Sequence, residues 1–461
     1  MAAASLVQLE QLSRSRESPQ QREQEPEQSQ TLPPTDHGRA AYLVLAGCAI
    51  MQAPVWGYSV AFGIFQEYYT VHNSFGASPS AIASIGTSQI GIMYLMMPLT
   101  SGLLIKYPHM RRLCGPFGLA VTLASLVSSA YATSVAALIA TQGVLYALGC
   151  GLLFSPTSLY LDEWFVERKG LAYGVMWAAK SLVGVVMPFL MTALLDRYGL
   201  RSTLLAWAVA SAVMTLPLLV LLKPREAGAG PNNRSRRPAL SFSFMRHTVF
   251  WMLQAGNIVQ SFGYLMPSTY LASYAASLGL PHLTGPVLLA VFSLASVPGS
   301  LVHGLLGDRL AATTVILISS AGSAAAVFLL WGMARHVAVL ALFSVAYGFF
   351  AGGFSATWSG ILHEMRRRHG DDDGGGGDTA MVFGMLMGGR GVGFVLSGPV
   401  SGVLLGAGGG GWGGGDVSSY KSEYGPMIIC TGLTAVLGAW GWLWTLGKQC
   451  RRLMARWDLS L

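Results

Sequence analysis

The chain has 461 residues, of which 52% are hydrophobic and only 11% are charged, and its mean hydropathy is +0.49. Soluble domains average about 25% charged residues, so this composition excludes an ordinary soluble fold and indicates an apolar solvent. The net charge of +8 does not indicate nucleic-acid binding, because the basic residues form no continuous patch and lie in short segments between apolar blocks.

The first 39 residues are rich in Gln, Glu, Ser and Pro and lack the apolar core of a signal peptide, so we expect a disordered cytosolic tail. Apolar blocks with no or one charged residue follow in chain order: 40–66, 68–105, 113–161, 170–195, 202–222, 248–307, 310–334, 336–363, 379–415 and 424–447. One crossing of the hydrocarbon core takes about 20 residues. Blocks 113–161 and 248–307 are long enough for two crossings each, which gives twelve predicted helices.

The basic residues orient these helices. With the N-terminus in the cytosol, 23 of the 29 Lys and Arg residues fall in cytosolic segments and four in outer loops, so both termini are predicted to be cytosolic. The polar segment 224–246 reads as a cytosolic linker between six-helix bundles at 40–223 and 247–447, and 448–461 as a second cytosolic tail. The predicted fold class is therefore an all-α membrane protein with twelve transmembrane helices in two six-helix bundles.

Two cations, Lys180 and Arg390, lie inside predicted spans. A charged group at this depth costs at least ~3 kcal/mol on insertion scales, so it usually serves a purpose. Both residues lie about 15 Å from the predicted cytosolic end of the fifth helix of their half, counted at 1.5 Å per residue. No Asp or Glu lies inside any predicted span. An anionic solute would supply the missing counter-charge, although a structural role with backbone carbonyls as partners also fits.

Polar residues on the seventh helix form a second candidate site. Gln254, Asn257 and Gln260 are spaced by three and share one helical face, which Tyr264 extends. Contact with a solute and hydrogen bonding to another helix both explain this stripe. Gln52 contributes a similar polar group on the first helix. With Lys180 and Arg390, we therefore predict Asn257, Gln260, Tyr264 and Gln52 as solute-binding residues.

The sequence shows no metal-ligand cluster and no phosphate-binding loop, so we predict no cofactor, and transport would have to be driven by a gradient. Proton coupling would have to use the solute's own carboxylate, an acid at the edge of a span, or a histidine such as His303 or His363.

Several segments resemble a known family. Residues 304–309, Gly-Leu-Leu-Gly-Asp-Arg, resemble the loop motif Gly-x-x-x-Asp-Arg of the major facilitator superfamily. Residues 164–174, Trp-Phe-Val-Glu-Arg-Lys-Gly-Leu-Ala-Tyr-Gly, resemble the helix 4–5 segment of monocarboxylate-porter-like facilitators, and residues 56–69 and 389–393 resemble its fungal branch. The chain departs from the pattern at Lys180, where a small residue is usual, and in the loop after helix 2, which lacks the aspartate.

This resemblance implies a transporter that works by alternating access around a site near the middle of the membrane. It also implies a latch at the cytosolic face, made by Asp308, Arg309, Arg168 and Lys169. Family members move monocarboxylates with protons, and fungal members also move metabolites. We therefore expect a monomer in the lipid bilayer, without enzymatic activity, that carries a small organic anion; protons are one candidate coupling ion, and the sequence leaves the coupling ion open.

Three alternatives remain at this stage. Export of a fungal secondary metabolite competes with uptake of a monocarboxylate, and a non-transporting sensor on the same fold competes with both. The plasma membrane is the expected location, with a vacuolar or other internal membrane as the alternative.

Overall fold

The computed structural model describes residues 35–71, 79–222, 224–225, 242–281, 283–369, 376–408, 419–445 and 447. Nearly all of the two predicted cytosolic tails lies outside these residues, and so does most of the predicted linker at 224–246. All regular structure in the described ranges is helical. We label the membrane helices α1 to α12 in chain order.

Two of the first four helices, α1 and α4, depart from regular α-helical geometry. The helix bounds are α1 Arg39–Tyr69, α2 Pro79–Lys106, α3 Met110–Ala130 and α4 Val135–Trp164. Helix α1 is interrupted at Met51 and Ala61; Pro54, which has no N–H to continue the ladder, lies just after the first interruption. Helix α4 contains a π-helical segment, Ile139–Leu145, a feature that often accompanies functional sites.

Helices α5 and α6 follow each other without a loop, in one helical segment of 53 residues, Lys169–Leu221. At 1.5 Å per residue it would be about 80 Å long, more than twice the ~30 Å of a hydrocarbon core. Gly199, with φ of 72° and ψ of 175°, interrupts the helical backbone. Only glycine adopts this conformation without strain. The segment is therefore two crossings, α5 before Gly199 and α6 after it, as the charge pattern predicts.

The second half contains α7 Thr248–Ser277, α8 Thr284–Arg309, α9 Ala312–Met333, α10 Val337–Met365, α11 Gly376–Gly408 and α12 Gly425–Thr445. In the described ranges, ten segments are long and apolar enough to cross a membrane. One of them is the α5–α6 pair, and α7, with its polar stripe, is outside the set. The predicted all-α fold with twelve membrane helices in two six-helix bundles is confirmed.

The two halves meet where α5 packs against α8 and where α2 packs against α11. Glycines allow the backbones to approach closely at both contacts. A Cβ atom on Gly304 of α8 would lie 2.4 Å from the carbonyl oxygen of Gly170 on α5, and a Cβ on Gly388 of α11 would lie 2.5 Å from the Pro98 ring on α2. Because α5 carries Lys180 and α11 carries Arg390, both cations lie on helices that face the opposite half.

Candidate functional site

Lys180 on α5 is held by aromatic side chains of its own half. Its Nζ atom lies 3.9 Å from the ring centroid of Trp56 and 5.1 Å from that of Trp177. It also donates a hydrogen bond of 3.3 Å to the Tyr94 hydroxyl. A cation over an aromatic face gains about 2 kcal/mol or more when it is desolvated. These rings therefore stabilise the half-buried ammonium group without a carboxylate.

Arg390 on α11 has a similar environment in the second half. The side chain is 2% exposed, and its Nη1 atom donates a hydrogen bond of 3.2 Å to Oε1 of Gln260. Its guanidinium carbon lies 4.7 Å from the Tyr264 ring centroid and 5.1 Å from that of Phe394, with Phe354 slightly farther. Its Nε atom is buried and has no hydrogen-bond partner among the described residues. One guanidinium donor is therefore left without an acceptor.

Tyr94 joins the two environments. Its hydroxyl accepts a hydrogen bond from Lys180, and its ring lies 5.1 Å from Phe394 across the boundary between the halves. The Phe394 ring in turn lies 5.1 Å from the Arg390 guanidinium. A second ring pair, Trp177 with Trp358 of α10 at 6.1 Å, crosses the same boundary. We call the following residues the central aromatic cluster: Trp56, Tyr94, Phe154, Trp177, Tyr264, Phe354, Trp358 and Phe394.

The cluster holds two positive charges. In the described part of the chain, neither Lys180 nor Arg390 forms an ion pair with a carboxylate. The two acids at the C-terminal end of α4 have other partners: Asp162 pairs with Lys169, and Glu163 pairs with Arg111. The structure places the two predicted cations on the two sides of the Tyr94–Phe394 ring contact.

The polar stripe on α7 faces α11. The side-chain amides of Gln254 and Asn257 donate hydrogen bonds of 2.7 Å to the carbonyl oxygens of Met385 and Leu386, one turn before Arg390. Gln260 accepts from Arg390 itself. Of the two interpretations of the stripe, hydrogen bonding between helices therefore accounts for Gln254 and Asn257. Gln260 orients the Arg390 guanidinium.

Gln52 lies one turn before Trp56 on α1, and its Nε2 atom donates to the carbonyl oxygen of Cys48 at 2.8 Å. Within the described residues, it makes no hydrogen bond to either cation. His303 is also removed from the cluster, since its Nδ1 atom contacts the Gly299 carbonyl oxygen of its own helix at 2.7 Å. Among the described residues, Lys180 and Arg390 share the central aromatic cluster, whereas Gln52 and His303 bond to backbone carbonyl groups of their own helices.

A carboxylate crosses between the halves at the predicted cytosolic end. Asp308 of α8 accepts hydrogen bonds from the backbone N–H groups of Gly170 and Leu171, at 2.8 and 3.1 Å. These N–H groups belong to the first turn of α5 and have no partner within the helix. Nε2 of His363 lies 3.4 Å from the same carboxylate. Asp308 thus caps a helix of the opposite half, where the helix dipole also favours a negative charge.

Within the described ranges, the other predicted latch residues make no contact that bridges the halves. Lys169 pairs with Asp162 of its own half, and the side chains of Arg168 and Arg309 are exposed. The residue that sequence reasoning missed is Asp36, whose carboxylate accepts the backbone N–H groups of Val166, Glu167 and Arg168 at 2.9 to 3.2 Å. Its positive φ of 61° is a conformation that Asp adopts more readily than most residues. Two carboxylates, one from each half, therefore hold the chain at the start of α5.

Comparison with known proteins supports this architecture. A sequence model of the Major Facilitator Superfamily matches residues 44–365. MFS-type transporter pynF of Aspergillus niger is 28% identical over 82% of this chain and 84% of its own length. Agnestins efflux protein AgnL12 of Paecilomyces divaricatus is 26% identical over 69% of this chain and 72% of its own.

Two more distant proteins extend the comparison. Human monocarboxylate transporter 10 is 22% identical over 83% of this chain and 76% of its own length. The crystal structure of the human organic anion transporter MFSD10 superposes with a TM-score of 0.59 at 14% identity, covering 87% of this chain and 97% of that one. The fungal relatives and the monocarboxylate transporter agree with the sequence resemblance. With its twelve helices and a family match over most of its length, the chain belongs to the Major Facilitator Superfamily.

Proposed function

We propose that the protein is a secondary active transporter that moves a small organic anion, a monocarboxylate or a carboxylate-bearing metabolite, by alternating access. One observation carries the proposal. Lys180 of the first half and Arg390 of the second lie in one aromatic cluster, joined by the ring contact of Tyr94 with Phe394, and among the described residues neither has a carboxylate partner.

An anion between the halves would complete this arrangement. Two desolvated cations near each other are costly, and a negative solute offsets that cost for both. The buried Nε atom of Arg390, which lacks an acceptor within the described structure, offers a charge-assisted hydrogen bond to a carboxylate oxygen. Since the cations come from opposite halves, the solute gains both contacts only when the halves close around it. That differential affinity is what a transporter needs to change state with its solute.

Export of a metabolite is the second candidate, because one relative is named as an efflux protein. The name of another relative, a monocarboxylate transporter, gives no direction of transport. The same cluster serves either direction. For proton coupling, we propose that the solute binds as the ionised carboxylate, because a protonated, uncharged acid would leave both cations without a counter-charge. A coupled proton is then carried by a histidine or by an acid at the edge of a span.

Counterflow of labelled organic acids into proteoliposomes tests the proposal. Wild type is compared with Lys180→Gln and Arg390→Gln, and exposed cations outside the cluster supply the matched controls Lys106→Gln and Arg197→Gln. Loss of a charge-assisted hydrogen bond of about 1.5–3 kcal/mol predicts at least a tenfold rise in the half-saturation concentration for Arg390→Gln. The control variants are expected to match wild type.

An imposed pH gradient provides the second arm of this experiment. Accumulation of the acid when the outside is more acidic supports symport, whereas exchange without accumulation indicates an exchanger or uniporter. Wild-type exchange in both cluster variants would contradict the role of the cations. No exchange of any organic acid by a folded wild-type protein would instead favour a neutral solute or the sensor alternative.

A further inference from the structure

We infer that the solute is an aromatic carboxylate whose ring binds between the halves, within the central aromatic cluster. This inference rests on the proposed function, because it names the class of anion that the same site takes. It follows from the kind of surface that surrounds the cations, whereas the proposed function follows from the cations themselves.

Aromatic rings lie close to both cations. Rings of Tyr264 and Phe394 lie within 5.1 Å of the Arg390 guanidinium, and the ring of Trp56 lies 3.9 Å from the Lys180 ammonium. The open position on Arg390 is its buried Nε atom, which lies in the plane of the guanidinium. A carboxylate that binds there does so edge-on, and the rest of the solute then lies among the rings.

Two pairs of aromatic rings in the cluster, each with one ring from either half, contact each other across the boundary. A solute that binds there takes the place of these ring contacts. Tyr94 and Phe394 meet at 5.1 Å with an interplanar angle of 88°, and Trp177 and Trp358 meet at 6.1 Å with an angle of 89°. Both have the edge-to-face geometry that aromatic pairs prefer. Alternating access moves the halves apart, so these pairs must separate during each cycle.

A planar aromatic solute can replace the lost contacts, because it presents a face and edges to the rings of both halves. A saturated ring of similar volume fills the space but has no aromatic face or polarised edge. Each aromatic pair favours the aromatic solute by about two- to tenfold beyond burial of area. The cluster thus discriminates between two anions that have the same charge and nearly the same size.

Counterflow with 3-phenyllactate and 3-cyclohexyllactate tests this inference, with uptake into protein-free liposomes subtracted. Both acids are ionised at neutral pH and differ only in the ring. We expect wild type to exchange phenyllactate with a half-saturation concentration about two- to tenfold lower than that of cyclohexyllactate. In Trp177→Leu and Phe394→Leu, which each remove one crossing ring, we expect the ratio of the two constants to move toward one. The control is Trp440→Leu, because Trp440 is 48% exposed and outside the cluster.

The outcomes separate this inference from the proposed function. Equal constants for both acids in wild type, or exchange of lactate without any preference for a ring, overturn the inference and leave an anion transporter. Rings that only stabilise the cations would raise both constants together in the two leucine variants and leave the ratio unchanged, which also overturns it. Absence of exchange for every carboxylate overturns both proposals. The wild-type ratio decides the matter even if a variant fails to fold.

Discussion

Replacing Asp308 by asparagine should increase the fraction of molecules that are open at the predicted cytosolic face. The Asp308 carboxylate accepts two backbone N–H groups from the first turn of α5 at 2.8 and 3.1 Å. Asparagine keeps one acceptor oxygen and the shape but loses the charge. A charge at a helix terminus contributes about 0.3–2 kcal/mol, and hydrogen bonds to charged groups are stronger than neutral ones by roughly 1 kcal/mol. We therefore expect the closed arrangement to lose ~1–2 kcal/mol, or about five- to thirtyfold in the population of open molecules.

The assay is the rate of modification of a cysteine placed in the contact between α5 and α8. Ser300 is suitable because it is fully buried there, beside Gly174. When a maleimide reaches Ser300→Cys only in open molecules, its labelling rate follows the open population. The rate in the double variant with Asp308→Asn should therefore rise about five- to thirtyfold over Ser300→Cys alone, after subtraction of the labelling of native cysteines.

The matched control is Asp196→Asn, which removes an exposed carboxylate outside the contact. It should leave the labelling rate of Ser300→Cys unchanged. An unchanged rate in Asp308→Asn would refute the reasoning, since it would mean that the carboxylate does not hold the halves together. An equal increase in both variants would point to a general effect of net charge instead.

Two further predictions concern packing at the start of α5. Gly304→Ala should raise the same labelling rate, because the new Cβ would lie 2.4 Å from the carbonyl oxygen of Gly170; Gly402→Ala, where a Cβ meets nothing within 4 Å, is the control and should not. Asp36→Asn should lower the thermal unfolding midpoint of the detergent-solubilised protein, because three charge-assisted hydrogen bonds to backbone N–H groups weaken at a cost of ~1–3 kcal/mol in total. Glu167→Gln, an exposed position in the same loop, should leave the midpoint unchanged, and equal midpoints for both variants would show that the Asp36 contacts do not stabilise the fold.

The sequence was sufficient to predict the fold because the thickness of the bilayer sets the length of each helix and the positions of the basic residues set its orientation. Each crossing needs about 20 apolar residues, and the two long blocks, 113–161 and 248–307, each divide into two helices in the structure, near Thr133 and near Gly279. The turn at Gly199 is also where the blocks predict one. Hydropathy alone would have missed α7, whose amides bond to α11 and so do not face lipid.

The site was predicted less completely. Charge alone singled out Lys180 and Arg390, since an isolated cation in a span is conspicuous against apolar neighbours. The aromatic residues around them carry no such signal, because Trp and Tyr are common in membrane helices for other reasons. Asp36 was not among the predicted site residues either. Its partners are backbone N–H groups 130 to 132 residues away along the chain, and a pattern of side chains does not reveal such contacts.

Helix α5 connects the two parts of the site. It begins where Asp308 of the other half caps Gly170, and it carries Lys180 ten residues later, about 15 Å along a helix with a 1.5 Å rise. Lys180 and Tyr94 belong to the first half, whereas Arg390 belongs to the second. In the transport cycle that we propose, the halves part at this face when Asp308 leaves the end of α5, and Arg390 then moves away from Tyr94 and Lys180. The solute carboxylate, which contacts both cations in this proposal, loses part of its binding energy on the same step that opens the path. The proposed cycle therefore joins release of the Asp308 cap and release of the solute in one movement of α5 and α2 against α8 and α11.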